Sequence, residues 1–166
     1  MNPDAPCIVP AVQSDLPAIN DIYNYYVLHS TATYQEEPET IQSRAAWFAR
    51  RGPAHPVTVA RIGGAVVGWA SLSPFHPRSA YRRTVETSVY VDSSTHRRGI
   101  GRALMQDLIS RAREAGHHTI IAGIDAEQPP SLALHDSLGF VRIAHLREVG
   151  FKFGRWLDVV YLQLML

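Results

Sequence analysis

The chain has 166 residues, 46% hydrophobic and 19% charged, with 11 Gly and 11 Pro. One domain over residues 1–166 is expected from that length, and the composition excludes disorder, collagen and coiled coil. Lys plus Arg total 16 against 15 for Asp plus Glu, a formal net charge of +1 that offers no electrostatic footprint for nucleic acid.

The opening MNPDAPCIVPAV has no basic region and no long apolar region, so no secretory leader is expected. Nowhere does an apolar run approach the roughly 20 residues that span a bilayer. Cys7 is the one cysteine, which excludes an internal disulfide and a thiolate zinc cluster and suits a reducing, cytoplasmic setting. Residues 7–12 predict a short strand. Ser14 then reads as a helix N-cap, with Asp15 favourable to the dipole. Leu16, Ile19, Ile22, Tyr23, Tyr26 and Val27 recur at helical spacing to about Leu28. A second helix is expected from Thr40, carrying Ile41, Trp47 and Phe48, and Gly52-Pro53 ends it.

After Pro56 the period changes to two. Val57, Val59 and then Ala65 to Leu72 flank Gly63-Gly64, a hairpin signal. Residues 74–83 form a Pro-bearing loop. In Thr84 to Val91, Val85, Thr87, Val89 and Val91 share one face, and Glu86, Ser88 and Tyr90 share the other. A polar turn at 92–98 precedes a long amphipathic helix, whose stripe runs from Ile100 to Ala112 and whose stop is Gly116. Thr119 to Ile124 predicts a buried strand. A short helix follows from about Ser131 to Leu138, and strands at 140–146 and 157–164 close the chain. The strand–helix–strand unit over 84–124 implies a parallel, right-handed crossover in a mixed sheet of about seven strands flanked by helices, an α/β fold.

The segment His96-Arg97-Arg98-Gly99-Ile100-Gly101 joins the strongest strand to the longest helix. Glycines there let backbone approach an anion, and a first helical turn offers free N–H groups and a favourable dipole. Alone, the segment reads equally as a tight turn with solvated arginines. Neither a P-loop nor a dinucleotide fingerprint is present.

Taken with TVETSVYV before it, RALMQDLISRAREAG after it and SLALHDSLGF further on, this segment resembles the GNAT superfamily of acyl-CoA-dependent N-acyltransferases, whose phosphate loop reads Q/R-x-x-G-x-G/A. The loop before Thr84, TVE-SVYV, and KFGRWLD at 152–158 resemble more narrowly the phosphinothricin and methionine sulfoximine N-acetyltransferases. The resemblance covers nearly the whole chain. It implies the GNAT fold, acetyl-CoA as co-substrate, a small amino-acid-like acceptor and a homodimer. The spacing of His29, His55, His117, His118 and His145 suggests no metal, and charge and apolar run length suggest no nucleic-acid or membrane partner. The chain departs from the pattern at His96, where Gln or Arg is usual, and at Gln128, where Asn commonly contacts the cofactor.

Site residues follow from the same resemblance. Cofactor contacts are expected from Ser88, Val89, Tyr90, Val91, His96, Arg97, Arg98, Gly99, Ile100, Gly101, Gln128 and Ser131. Glu86 is the expected general base, since only a free amine attacks a thioester and a carboxylate can take the ammonium proton. It also reads as a solvated Glu on a polar strand face. His135 stands where a Tyr often protonates the leaving thiolate, and reads equally as a histidine packing on the cofactor. Phe75, His76 and Pro77, with Val85, Glu86 and Thr87, match substrate-lining positions. Arg78, Arg82 and Arg83 are further candidates for a substrate carboxylate. Tyr34, Trp47 and Phe48 are possible pocket walls, with Trp47 the most structural of them. The segment 149–158, including Lys152 and Trp156, is expected near a partner or the substrate entrance. Cys7 is expected as a small buried hydrophobe, not a covalent carrier. Two alternatives stay open: acetylation of another small amine or a protein N-terminus, and a non-catalytic acyl-CoA sensor.

Overall fold

Strict alternation of β-branched residues makes Thr84–Val91 the central strand of the sheet. The structure, a computed structural model, describes residues 5–166. The first four residues, part of the opening read for a leader, lie outside the described residues. The strands are β1 (Cys7–Pro10), β2 (Val57–Ile62), β3 (Ala65–Pro74), β4 (Thr84–Val91), β5 (Thr119–Asp125), β6 (Val141–Lys152) and β7 (Arg155–Met165). They form one seven-stranded sheet in the order β1-β2-β3-β4-β5-β7-β6, antiparallel except for β4 with β5. The expected mixed α/β sheet and its parallel crossover are both present.

Helices α1 (Leu16–His29) and α2 (Ile41–Ala49) cover one face, where Leu16, Ile19 and Ile22 bury against Val57, Val59 and Trp69. Helices α3 (Ile100–Glu114) and α4 (Pro129–Ser137) cover the other, where Leu104, Met105 and Leu108 meet Val85, Ile120 and Ala122. Apolar side chains at i, i+4 and i+8 along α3 supply the stripe that buries there.

Several local expectations hold. Thr40 caps α2 by accepting from Ser43 N at 3.1 Å. Gly63 and Gly64 take φ of 56° and 86° in the β2–β3 hairpin. Others are corrected. Ser14 is not a cap: a 3-10 turn at Gln13–Asp15 leads into α1, and the Asp15 carboxylate is held by Val12 N and by Arg61 of β2. Helix α4 begins at Pro129, because proline lacks an N–H that a first turn leaves unpaired anyway. Cys7 is exposed, since β1 is a sheet edge. The last hairpin is longer than expected, because two register shifts in β6 carry the pairing through 147–156.

One register fact governs the rest. Strand β4 pairs with β3 from Val85 through Val91, and β5 pairs with β7 along its whole length. Between themselves β4 and β5 share only Thr84–Thr119, Val85–Ile120 and Glu86–Ile121. Beyond Glu86 they part like a fork.

Candidate active site

The fork opens a cleft of about 540 Å³, walled by β4, β5, α4 and the turn before α3. Asp92 N donates to Val67 O and Phe75 N donates to Thr84 O. Antiparallel pairing alternates, so even-numbered residues of β4 spend their backbone groups on β3. Thr87, Val89 and Val91 therefore turn theirs toward the cleft. Ser88 and Tyr90 line the cleft, but their backbone groups are committed to β3. Val89 keeps both groups open, Val91 O accepts from the Tyr26 hydroxyl at 2.5 Å, and Thr87 is a backbone donor that sequence reasoning did not single out. Only the pairing register reveals that parity.

The turn before α3 is built for an anion. Arg97 has φ of 62° and Gly99 φ of 76°, and Gly99 caps α3 with no side-chain hydrogen bond. The first N–H donors of the helix are thus left open toward the cleft, where the dipole favours negative charge. Ile100 is 1% exposed and anchors the helix start. A Cβ on Gly101 would meet Leu134 Cδ2 at 3.3 Å, so α3 packs closely on α4 there. Arg97 and Arg102 line the cleft, and Arg98 lies on the same turn. His96 turns its ring to α1, with Nε2 2.8 Å from the Tyr26 hydroxyl. Open strand-edge groups, an uncapped helix start and cationic side chains along one cleft fit a phosphate-bearing, amide-bearing arm such as that of CoA.

On the α4 wall, Ser131 and His135 line the cleft. His135 is buried, and its Nδ1 lies 2.8 Å from Ser131 O. A carbonyl only accepts, so Nδ1 carries the hydrogen and donates. Burial lowers the imidazole pKa, leaving a neutral ring whose Nε2 holds a lone pair. That is the reverse of a proton donor to a leaving thiolate. Gln128 also lines the cleft, but its amide nitrogen donates to Thr31 Oγ1 at 3.1 Å and to Ser30 Oγ at 3.5 Å, leaving its oxygen for a ligand.

Glu86 stands at the point of the fork, on the α1 face of the sheet. Its Oε1 reaches toward β5, since a Cβ on Gly123 would lie 3.6 Å from it and 3.2 Å from the Tyr161 ring. Gly123 therefore keeps this space open. Burial pushes the Glu86 pKa up, and no described residue hydrogen bonds to it or pairs with it. Tyr161 was not anticipated, because only the β5–β7 register brings it beside Glu86.

The expected substrate positions divide. Phe75 leaves β3 beside Thr84, and His76 and Phe75 pack on Tyr81 at 4.8 and 5.9 Å, with Pro77 in the same exposed loop. The side chains of Val85 and Thr87 turn to the α3 face. Val85 is fully buried under α3, and Thr87 Oγ1 donates to Met105 Sδ. Arg78, Arg82 and Arg83 are exposed, without a carboxylate partner among the described residues. Trp47 and Phe48 pack into the α1-side core as structural aromatics. Tyr34 braces the last hairpin: its hydroxyl donates to Asp158 O at 3.0 Å, and its ring lies over Gly150.

Lys152 is 2% exposed, and its ammonium donates to Ser30 O and Thr33 O at 2.8 Å, tying the hairpin to the end of α1 within its own chain. Trp156 is 60% exposed. A second cavity, about 670 Å³, lies between the end of α2 and the C-terminal end of α3, and of the candidate site residues singled out in the sequence Phe48 lines it.

Residues 19–140 match the family model described as Acetyltransferase (GNAT) family. The chain is 43% identical over 157 residues to the L-amino acid N-acyltransferase MnaT of Escherichia coli, covering 94% of this chain and 91% of that one. It is 41% identical over 157 residues to an L-methionine sulfoximine/L-methionine sulfone acetyltransferase of Salmonella typhimurium, covering 94% and 92%. Its fold superposes with a TM-score of 0.94 on a GNAT superfamily phosphinothricin acetyltransferase from Sinorhizobium meliloti solved in complex with AcCoA, at 39% identity, covering 97% of this chain and 88% of that one.

Proposed function

This chain belongs to the GNAT acetyltransferase family, and from that premise we propose that it acetylates the α-amino group of a small amino-acid analogue of the phosphinothricin, methionine sulfoximine or methionine sulfone type. It is an acetyl-CoA-dependent N-acetyltransferase, and acetyl-CoA supplies a thioester that a free amine attacks directly. The observation that carries the mechanism is Glu86, a half-buried carboxylate without a partner among the described residues, at the junction between the cofactor cleft and the α1 face. Its raised pKa brings it nearer that of the proton it must accept. Backbone N–H groups of Thr87 and Val89 are aimed into the cleft, where they stabilise negative charge developing on the thioester oxygen. Gly123 and Tyr161 shape the space in which the amine meets Glu86.

A homodimer belongs to the same proposal. Strand β6 is a sheet edge with Val141, Ile143, Leu146, Val149 and Phe151 exposed, an apolar edge of the kind that seeks a partner. A reducing, cytoplasmic setting accords with the single cysteine. The test is a steady-state acetylation screen across amino acids, sulfoximines, phosphinothricin and an alanine-initiated peptide. Turnover of the amino-acid analogues well above the peptide is expected. Preference for the peptide would overturn the acceptor class, and no turnover of any amine would overturn catalysis.

A further inference from the structure

The first residue of the anion-binding turn is bonded unlike its neighbours. His96 Nε2 lies 2.8 Å from the Tyr26 hydroxyl and 3.3 Å from Val91 O, and that hydroxyl lies 2.5 Å from Val91 O. The two rings stack, 25° apart in plane. Burial pushes the Tyr26 pKa up to about 12, so the hydroxyl keeps its proton at neutral pH. Val91 O can only accept, and so close an approach needs the tyrosine proton between the two oxygens. His96 Nε2 must then carry a hydrogen and donate it to the Tyr26 oxygen. In the neutral ring Nδ1 is left with a lone pair, and no described residue bonds to it. Both side chains line the cleft beside Arg97 and Gly99.

We propose that Tyr26 and His96 are a positioning pair for the anion-binding turn, and that His96 Nδ1 takes up a proton from solvent when CoA phosphates bind, linking CoA affinity to pH. This rests on the assignment of the cleft to CoA. A phosphate oxygen facing a lone pair is repelled, whereas a protonated imidazole meets it with a charge-assisted hydrogen bond. Were Nε2 to lose its hydrogen, the Tyr26 hydroxyl would have to turn its proton to His96 and release Val91 O at the end of β4.

The surrounding groups do not supply this proton. Tyr25 and Asp92 act on Tyr26, and Tyr90 packs on it from β4 with its own pKa raised by burial. The Asp92 carboxylate accepts from Ser94 N and Oγ. Arg97, Arg98 and Arg102 stay cationic. His29, the other imidazole at this end of α1, packs on Tyr25 at 5.0 Å.

Calorimetric titration of the full-length protein with CoA tests the pair, run in buffers of different ionisation enthalpy. Between about pH 6 and 8 the wild type should lose up to about tenfold more affinity than His96→Gln, the change that one unit of pKa coupling gives. It should also take up more protons per CoA bound. The Gln variant cancels the titration of CoA's own phosphates. His96→Arg, permanently charged, should bind tightly with as flat a profile as Gln. Tyr26→Phe should weaken binding throughout the range while circular dichroism stays unchanged. Equal pH slopes and proton uptake in wild type and His96→Gln overturn the proposal. Absence of CoA binding at every pH overturns both it and the cofactor assignment.

Discussion

At the hairpin end of the molecule, the Lys152 ammonium is buried against Ser30 O and Thr33 O, with Tyr26 O at 3.5 Å. At the fork, the Glu86 carboxylate is half-buried and has no partner among the described residues. Burial pushes each toward its neutral form, lowering the Lys152 pKa and raising that of Glu86. The surroundings differ. Carbonyl oxygens at the end of α1 and just beyond it accept the lysine's hydrogen bonds, so that charge is architecture. The space around Glu86 is kept open by Gly123, so that charge is available for chemistry. A buried charge whose bonds are all made holds two elements together, and one whose bonds are missing waits for a ligand.

The largest effect expected from this contrast is on rate. Glu86→Gln keeps the volume and cannot accept the ammonium proton, so kcat at neutral pH should fall about 100- to 10,000-fold. Steady-state kinetics checks this. If KM rises instead while kcat holds, Glu86 grips the ammonium rather than taking its proton. Lys152→Met should act on stability. It leaves buried carbonyls without donors, and the loss should be about 2–3 kcal/mol by urea unfolding. Its kcat, measured where the variant is folded, should stay close to wild type. A Lys152 variant that is stable but inactive would make both charges functional and dissolve the contrast.

Smaller effects sharpen it. Gly101→Val crowds Leu134 at the anion turn and should weaken CoA binding roughly tenfold, within the cost of about 1–3 kcal/mol usual for overpacking. Normal CoA affinity in that variant would remove the turn from the cofactor site. The smallest effect is a stability gain. The folded-state pKa of Glu86 lies above its unfolded value, so its contribution is present at low pH and lost as pH rises through the folded pKa. At pH 8 the ionised carboxylate costs stability that Glu86→Gln removes. The variant should therefore melt slightly higher than wild type at pH 8, with the gain vanishing in acid.

The sequence made the elements and the turn legible, because their signals are local. Alternation in Thr84–Val91, Gly63-Gly64, the helix start at Thr40 and the α3 stripe each need only a few neighbouring residues. What it hid was register. The parity that turns Thr87 and Val89 backbone groups into the cleft depends on the β3 pairing, and the fork depends on β5 following β7 rather than β4. Ser14 failed as a cap because Arg61, distant in sequence, holds Asp15. Glu86 could be named from its strand, but its isolation could not. The burial of Lys152 was hidden because nothing near it in sequence shows that α1 ends above it. His135 gave its position and hid its tautomer, which Ser131 O decides.

The central claim is that Glu86 takes the proton from the amine, and the pH dependence of kcat in Glu86→Gln tests it most directly. Both proteins would be measured at saturating acetyl-CoA and acceptor, from neutral pH toward the acceptor's own amine pKa. The deficit should be largest at neutral pH and shrink steadily as solution supplies the free amine. A deficit that stays constant over the whole range, or a variant that turns over like wild type at neutral pH, would contradict the claim.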